Sequence, residues 1–420
     1  MRTRDVAHIV IEADTPFKVG SNASDFLQDS PIQRDFNALP MILGTSLTGV
    51  LRKEFEQLKG SQKVKDIFGD ENGSKVIVSN ALMLDEDEKV HEELLLEKSS
   101  FLKIFETLPI REHTAITEKG VAKEHAKFDE EVLYKGTRFK FSIEMIEDEK
   151  DSFEEVLGLL AGNTFRIGGG STKGFGKLKI VEIRCERFES DSYEQYSSSL
   201  NSALGDLYEV KAEVTQQYTS YKLRITPDDF FMFGSGFGDE DADATAVYEH
   251  VIDYDKKGLS EKRVLMPASS LKGAIAHRTV FHFNRLEGKS IENSDGILLL
   301  SEVFGSAKES DGDGAGLKGK VIFSDCYQND NQETKTFDHV AIDRFTGGAI
   351  DGALFQEKTL SQKDLWKIEI LMDKDVQGNA LQAFENTLDD ITTGMLPLGG
   401  MTTKGHGVFG GTWSKEQSNA

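Results

Sequence analysis

Residues 43–52 read LGTSLTGVLR and residues 267–276 read PASSLKGAIA, and the likeness between these two stretches decides the fold. Ser270 lies 224 residues after Ser46, in the same Ser-Leu-x-Gly setting. A single short likeness of this kind often arises by chance, so the sequence beyond it has to be compared in the same way.

Further blocks recur downstream of both stretches, in the same order and at nearly constant spacing. Collinear blocks of this kind indicate that one module was duplicated. The matching pairs are IFG (67–69) with VFG (303–305), KVIVSNA (75–81) with KVIFSDC (320–326), REHTAIT (111–117) with FDHVAID (337–343), and GGGSTKGFG (168–176) with GGMTTKGHG (399–407).

The chain of 420 residues is also longer than one hydrophobic core usually serves. Between the two sets of blocks lies a polar, Ser-rich segment, residues 189–206, whose composition is typical of a linker. The sequence therefore predicts a first domain over residues 1–188, called copy one, and a second over residues 207–420, called copy two.

Hydrophobic periodicity predicts the order βαββαβ in each copy. This order is the α+β, ferredoxin-like (RRM-like) unit, with helices on one face of an antiparallel sheet and here with long insertions after strands one and two. In copy one the predicted strands lie near 6–13, 75–83, 137–146 and 177–184, and the helices near 46–59 and 152–161. In copy two they include YKLRI, the helix SLKGAIAHRTVFHF, KVIFSD, WKIEILM, the helix ALQAFENTLDDI and a short strand after Gly407.

The composition excludes several classes of protein. A formal net charge of −23 argues against indiscriminate nucleic-acid binding, although a locally basic groove remains compatible with it. The two cysteines and nine histidines form no zinc-binding spacing and no disulfide framework. No stretch approaches the roughly 18 apolar residues of a membrane helix, and the first residues lack the apolar core of a signal peptide. We expect a soluble, cytoplasmic protein without a membrane partner.

The Gly-rich stretches are candidates for phosphate binding, because glycine lets a backbone with free N–H groups approach a phosphate closely. They are not Walker motifs, since each lysine precedes a glycine and a strand rather than a helix follows. The alternative is a tight loop that needs positive φ angles. The candidate residues are Gly168, Gly169, Lys173 and Gly174 in copy one, and Gly399, Gly400, Lys404 and Gly405 in copy two.

Each Ser-Leu-x-Gly block opens a predicted helix, with Ser46 or Ser270 at the N-cap or in the first turn. Gly49 and Gly273 then lie inside a helix, where glycine costs about 1 kcal/mol relative to alanine. Close approach of a ligand or of another backbone would explain that cost, and tight packing on the sheet is the alternative. Phosphate at the helix N-terminus would find basic neighbours, namely Arg52, Lys53 and Lys272.

Carboxylates also recur. When Gly20 is set on Gly234, Asp29 falls on Asp243 without a gap. An aspartate in a polar loop is usually solvated or forms an Asx-turn, so the shared position is what makes the pair a candidate site. Asp239, Glu240 and Asp241 are rivals in copy two. The equivalent histidines, His113 and His339, are more typical of structural residues than of general bases.

Together these residues resemble a known family, the RAMP superfamily. The resemblance is strongest to the fused double-RAMP backbone subunit of type III-D CRISPR effector complexes, which are ribonucleoprotein complexes of antiviral defence. In copy one, DSPIQRD at 29–35 carries the aspartate pattern, and in copy two HVAIDR at 339–344 carries a second pattern. Copy two lacks the Pro and Arg after its aspartate, and copy one lacks the arginine that corresponds to Arg344.

The resemblance implies that each RAMP domain grips the guide RNA and inserts a hairpin that splays the guide–target duplex. It implies target cleavage at two sites, with Asp29 and Asp243 as catalytic residues, and it implies other type III subunits as partners. The basic residues of the predicted RNA groove would be Lys173, Lys404, Arg34, Arg52, Lys272 and Arg344, with His339 and the Ser and Gly residues of the two motifs beside them.

RNA chemistry suggests how such a site would cut. A flipped nucleotide aligns its own 2′-OH with the adjacent phosphate, so geometry supplies much of the rate enhancement. A free carboxylate is a poor base near neutral pH, which favours Asp29 and Asp243 as ligands of Mg²⁺ or another divalent cation. We expect a metal-dependent endoribonuclease that leaves a 2′,3′-cyclic phosphate and a 5′-OH. The alternatives are a non-catalytic structural RAMP subunit and a guide-RNA-processing endonuclease.

Overall fold

The computed structural model describes residues 3–20, 31–70, 73–116, 122–146, 150–211, 217–290, 293–306, 316–329, 333–361 and 363–417. Asp29, one of the two predicted catalytic residues, lies outside these ranges. Within them, no helix is both long and apolar enough to cross a membrane.

Copy one and the predicted linker that follows it contain ten strands and four α-helices within the described residues. The strands are β1 (Arg4–Ala13), β2 (Met41–Ile42), β3 (Val76–Val78), β4 (Ala81–Met83), β5 (Ile110–Ile116), β6 (Ala122–Glu131), β7 (Arg138–Ile146), β8 (Lys173–Gly174), β9 (Leu178–Phe188) and β10 (Asp206–Leu207). The helices are α1 (Gly44–Lys59), α2 (Ser61–Phe68), α3 (Ser100–Lys103) and α4 (Lys150–Leu160).

Copy two contributes fourteen strands and three α-helices in the described part of the chain. The strands are β11 (Tyr218–Pro227), β12 (Ala244–Thr245), β13 (Tyr248–Glu249), β14 (Ile252–Asp253), β15 (Gly258–Leu259), β16 (Arg263–Met266), β17 (Gly305–Ser306), β18 (Leu317–Lys318), β19 (Val321–Ser324), β20 (Cys326–Asn329), β21 (Thr334–His339), β22 (Phe355–Leu360), β23 (Trp366–Asp373) and β24 (Phe409–Gln417). The helices are α5 (Ala268–Leu286), α6 (Ser294–Leu299) and α7 (Gly378–Thr392).

The main sheets of the two copies have the same strand order. In copy one the order is β9-β1-β7, with β3 and β4 both pairing on the far side of β7, and these pairings are antiparallel. In copy two it is β24-β11-β23-β19, again antiparallel. The chain is therefore an α+β protein with one architecture repeated, as the duplicated blocks predict.

Apolar residues at helical spacing place α1 and α5 on their sheets. Leu47, Leu51 and Phe55 are buried on α1, and Leu271 and Ile275 are buried on α5. Each first helix packs against the second helix of its own copy, α1 against α4 and α5 against α7. Burial of such a stripe, at about 25 cal/mol per Å² of apolar surface, is the main force that fixes each helix.

Two large apolar clusters form the cores, one in each copy. The first also contains Ile252 and Tyr254 of copy two, where the Tyr254 ring lies against Phe101 with 5.3 Å between ring centroids. The Ile252 amide donates to the Lys135 carbonyl oxygen at 2.8 Å. An insertion of copy two is therefore packed into copy one.

The predicted linker lies against copy one. Leu204 is buried with Val6 and Phe188, and β10 pairs with β9 at the outer edge of the sheet. The segment therefore covers a sheet edge that would otherwise present unpaired backbone groups.

Candidate functional site

Residues 168–176, called glycine loop one, reach across and extend the sheet of copy two. Strand β8 pairs in parallel with β19, with Gly174 opposite Ser324. Gly174 has φ +111°, and a Cβ atom there would collide with Ala268 and Asp325. This glycine is required because the side chains of Ala268 and Asp325, both in copy two, leave no room for a Cβ atom.

The first glycines of both loops are also required by crowding within their own copies. Gly168 has φ +86° against the Lys18 carbonyl, and Gly399 has φ +95° against the Met232 carbonyl. The next amides, of Gly169 and Gly400, donate to those same carbonyl oxygens at 3.1 and 2.7 Å.

These contacts correct the expectation that successive loop N–H groups are free for phosphate. In residues 399–407, called glycine loop two, the amides of Lys404 and Gly405 also bond within the loop, at 2.9 and 3.2 Å. The tight-loop alternative accounts for these glycines, because their amides donate to carbonyl oxygens of the same copy. The lysine side chains are what the loops offer to a ligand.

Two lysines meet where glycine loop one touches α5. Lys272 Nζ donates to Thr172 Oγ1 at 3.1 Å, and neither Lys272 nor Lys173 takes part in an ion pair between described residues. Burial, and after it the nearby ammonium group of Lys173, lower the pKa of Lys272 to about 8. The lysine pair at the junction thus carries positive charge that no described carboxylate pairs with.

The N-termini of α1 and α5 are capped by side chains from outside each helix. Ser46 and Ser270 lie in the first turn, and the side chains of Asn80 and Asp325 accept the first helical N–H groups at 2.8 Å. The buried Asp325 carboxylate already occupies the positive end of the α5 dipole. A phosphate predicted at this helix end would therefore meet an anion that belongs to the protein.

Gly49 and Gly273 face open space. No atom of the described chain lies within 4 Å of a Cβ built on either residue. Tight packing on the sheet, the alternative explanation for a glycine inside these helices, therefore does not account for them.

Strands β5 and β6, called hairpin one, are fixed to copy two by Arg111. Its guanidinium donates to Asp325 Oδ2 at 2.6 Å, to Glu249 Oε2 at 2.7 Å and to the Tyr327 hydroxyl at 3.0 Å. Burial opposes the charge of Arg111, but Asp325 and Glu249 raise its pKa well above the ordinary value. Phe337 stands at the equivalent place in copy two, so this anchor exists only at the internal junction.

Each copy also holds a glutamate that sequence reasoning missed, half-buried in copy one and buried in copy two. In copy one, Glu130 on β6 lies 2.7 Å from Lys18 Nζ and 3.4 Å from His113 Nε2. The His113 contact, followed by that of Lys18, lowers the pKa of Glu130 to about 2 against the opposing effect of burial. In copy two, Glu357 on β22 lies 3.0 Å from His339 Nε2.

A signal for these glutamates is present in the sequence. Phe128-Asp129-Glu130 and Phe355-Gln356-Glu357 form a repeated Phe-x-Glu pattern 227 residues apart. The phenylalanines match as well, because Lys173 Nζ lies 5.7 Å from the Phe128 ring and Lys404 Nζ lies 5.4 Å from the Phe355 ring. The glycine-loop lysine and the strand histidine therefore meet the same Phe-x-Glu strand in both copies.

The predicted aspartate of copy two lies beside the second hairpin, β21 and β22, called hairpin two. Asp243 Oδ2 accepts the Gln356 N–H at 2.8 Å. Its rivals Asp239 and Asp241 both pair with Lys358, at 3.1 and 3.0 Å. Neighbouring N–H groups and Lys358 lower the pKa of Asp239. Asp243 is thus the one of these three that does not pair with Lys358.

The predicted arginines lie apart from the lysine pair. Arg34 donates to the carbonyl oxygens of Ala38 and Phe105, each at 2.9 Å, and Arg52 donates to the Gly69 carbonyl at 3.1 Å. Arg344 is exposed in the segment that joins β21 to β22. Arg34 and Arg52 thus use their guanidinium groups inside copy one.

The described residues do not build a metal site by themselves. Among them, no group of three or more His, Cys, Asp or Glu side chains is arranged to hold an ion. Near Asp243, the carboxylates of Asp239 and Asp241 are taken by Lys358. Mg²⁺ often takes water and substrate phosphates as ligands, so a divalent cation at Asp29 or Asp243 stays a prediction.

Comparison with known proteins identifies a family and a structural likeness. The profile of the RAMP superfamily matches residues 10–179 and 252–410. A chain in the cryo-EM structure of the Type III-B Cmr-beta bound to cognate target RNA is 16% identical, with a TM-score of 0.34. The match covers 43% of this chain and 60% of that chain. No curated protein matches the sequence.

Proposed function

The chain belongs to the RAMP superfamily, and on that premise we propose that it is a guide-RNA-binding backbone subunit of a type III CRISPR effector complex. Each copy is assigned as a ferredoxin-like RAMP domain. The subunit cleaves complementary target RNA at two aspartate-dependent sites, one in each domain, and its partners are guide RNA, target RNA and other subunits of the complex.

The observation that carries this proposal is the lysine pair at the junction. Lys272 is largely buried beside Lys173 without a carboxylate partner among the described residues, in a chain whose net charge is −23. Bringing two ammonium groups together costs free energy that an RNA phosphate between them would offset. The acidic surface elsewhere repels RNA and so confines its binding to the lysine pair.

The repeat supports partners on either side of the subunit. Glycine loop one meets the Ser-Leu-x-Gly helix of copy two, whereas glycine loop two has open space around Gly405. In the same way, α1 of copy one presents Gly49 to open space. Neighbouring RAMP domains that repeat the internal junction would complete both faces.

Cleavage is assigned to the target RNA held against each hairpin. Asp243 lies at the side of hairpin two, where one carboxylate oxygen is fixed by the Gln356 N–H. A nucleotide turned out of the duplex places its 2′-OH in line with the next phosphate. In this proposal the other oxygen of Asp243 organises charge around that phosphate, and Asp29 has the same role in copy one.

The test uses the assembled complex with labelled complementary RNA. We expect Asp243→Ala to abolish one cut and Asp29→Ala to abolish another, with 2′,3′-cyclic phosphate ends on the remaining product. Asp241→Ala is the matched control and leaves both cuts. Unchanged products in both catalytic variants, or a 3′-OH end, would contradict the proposed cleavage.

One observation favours a second candidate, a structural subunit that binds guide RNA and partners without cutting. Asp243 makes a hydrogen bond to the backbone of β22, and this contact alone could explain an aspartate at that position. Under this alternative Asp243→Ala weakens hairpin two but removes no cut. The same cleavage experiment therefore separates the two candidates.

A further inference from the structure

The two copies neutralise the glutamate of the Phe-x-Glu strand in different ways. A histidine lies beside it in both copies, His113 at 3.4 Å from Glu130 and His339 at 3.0 Å from Glu357, so the difference lies in the lysines. In copy one, Lys18 Nζ lies 2.7 Å from Glu130 Oε1. A lysine beside a carboxylate is charged at every pH near neutrality, so the pair is a permanent one. Lys173 at the tip of glycine loop one makes no ion pair with a described residue and adds one positive charge to this surface.

Copy two has Met232 at the place of Lys18. The structural equivalence is direct, because Lys18 and Met232 use their carbonyl oxygens to accept the second glycine amide of their respective loops. Met232 is buried in the core of copy two and carries no charge. Glu357 therefore lacks the lysine partner that its counterpart has.

Glu357 is nevertheless completely buried. Its nearest basic atoms are His339 Nε2 at 3.0 Å, His406 Nδ1 at 3.5 Å and Lys404 Nζ at 3.7 Å. None of its carboxylate oxygens meets hydrogen-bond geometry with a described residue, and the same holds for the two histidine nitrogens. A buried carboxylate is costly unless a positive charge lies beside it. A proton on one of the two histidines would supply that charge.

A count of fixed charges shows the difference. Copy one has Lys18 and Lys173 against Glu130, which leaves one positive charge at any pH near neutrality. Copy two has Lys404 against Glu357, which leaves none. Copy two therefore reaches the single positive charge of copy one only when a histidine is protonated. Histidine is the side chain that gains a proton between about pH 8 and pH 5.

We propose that copy two binds RNA phosphate through a proton-linked cluster, in which a protonated His339 supplies the positive charge that Lys18 makes permanent in copy one. This inference rests on the proposed function. The proton comes from the solvent and is taken up as the phosphate binds to Lys404 and His339. Copy one binds phosphate without this uptake.

The exposure of the side chains in the cluster agrees with phosphate binding. The side chains of Lys404 and His339 are 39% and 31% exposed, whereas those of His406 and Glu357 are 10% and 0% exposed. A ligand therefore meets Lys404 and His339 first, with Glu357 beneath them.

The groups that face His339 come from three elements. Strand β22 provides Glu357 and the Phe355 ring, and glycine loop two provides His406 and Lys404. On its own strand, Asp338 instead accepts from the Gln356 side chain at 2.6 Å, and Phe337 stacks beside the imidazole. Glu357 is thus the only carboxylate in ion-pair range of His339 within the described chain.

The experiment measures affinity of the full chain for a labelled single-stranded RNA between about pH 6 and pH 8, at constant low ionic strength. We expect affinity to fall as pH rises, by at most about tenfold per pH unit for each linked proton. Lys272, with its pKa of about 8, contributes part of this fall in every variant, so the test is the difference in slope between the wild-type chain and its variants. Met232→Lys, which copies Lys18, should flatten this dependence and raise affinity at pH 8. Met232→Leu is the matched control and should retain the slope.

A second measurement follows the histidines directly. In NMR titrations, with signals assigned through His339→Gln and His406→Phe, one of the two imidazoles should become protonated at a higher pH when RNA is present. His339→Gln should also lose the pH slope of binding.

Equal slopes in the wild-type chain, Met232→Lys and His339→Gln would overturn the inference while leaving RNA binding intact. So would imidazoles that stay neutral across the range with and without RNA. Absence of RNA binding by every variant at every pH would instead overturn the proposed function, because it removes the ligand from both copies.

Discussion

At the scale of single residues, Lys272 shows a conflict between stability and binding. Its ammonium group is buried against Thr172 and beside Lys173, and burial lowers its pKa to about 8 from the ordinary value of 10.5. Between these two values the unfolded chain binds more protons than the folded chain. Folding stability from this residue therefore rises as pH increases from about 8 to 10.5, where the folded lysine is neutral.

The change Lys272→Met should raise stability and weaken RNA binding together. We expect the free energy of unfolding at pH 7 to increase by on the order of 1–3 kcal/mol, because a buried charge is removed. Urea denaturation measures this gain, and RNA titration measures the loss of affinity. Lys173→Met, at an exposed lysine, is the control and should weaken binding with little effect on stability. A stable Lys272→Met chain with unchanged RNA affinity would contradict a phosphate site here.

At the scale of elements, hairpin one is joined to copy two by a charge cluster that hairpin two lacks. Arg111 connects β5 to Glu249 on β13 and to Asp325 beside the N-terminus of α5. In copy one the residue equivalent to Asp325 is Asn80, which makes the same capping contact without a charge. These two differences between the copies, Arg111 in place of Phe337 and Asp325 in place of Asn80, form one ion pair.

Arg111→Met should destabilise the junction strongly. It leaves the carboxylates of Glu249 and Asp325 buried without their partner, which typically costs about 3–5 kcal/mol. Urea denaturation of the full chain measures the loss.

The double variant Arg111→Met with Asp325→Asn should recover part of that loss, because asparagine keeps the cap and removes one buried charge. Phe337→Met, at the equivalent position of hairpin two, is the control and should cost far less. Equal losses at both positions would show that the cluster adds nothing to the junction.

At the scale of the whole molecule, a net charge of −23 surrounds a small basic site. Phosphates that approach the acidic surface are repelled, and Lys173 and Lys272 at the junction carry positive charge that no described carboxylate pairs with. The isolated chain should therefore bind random RNA weakly at physiological salt.

The salt dependence of RNA binding tests this distribution of charge. Removing both Lys173 and Lys272 should reduce the slope of log affinity against log salt by about 1.4, because each phosphate contact with a single strand contributes about 0.7. Lys63→Met is the control, since Lys63 pairs with Glu155 at 2.7 Å and lies outside the junction. Tight binding of random RNA that does not respond to salt would count against a local site.

Sequence alone determined the duplication and the order of the main elements. The apolar spacing that buries Leu47, Leu51 and Phe55 follows from local periodicity, and the predicted strands and helices fall within a few residues of those observed. The matched blocks also pointed to Lys173, because Lys404 recurs at the equivalent place, and to Lys272, which lies within the repeated Ser-Leu-x-Gly block where copy one has Thr48.

Only the tertiary structure decided which copy completes which site. Lys173 and Lys272 are 99 residues apart in the chain, and they meet because β8 joins the sheet of the other copy. Glu357 likewise lies beside two histidines that are distant in sequence, one on a strand and one in a loop. Local sequence fixes the period of each element, whereas burial, charge pairing and contact between copies depend on how the elements pack.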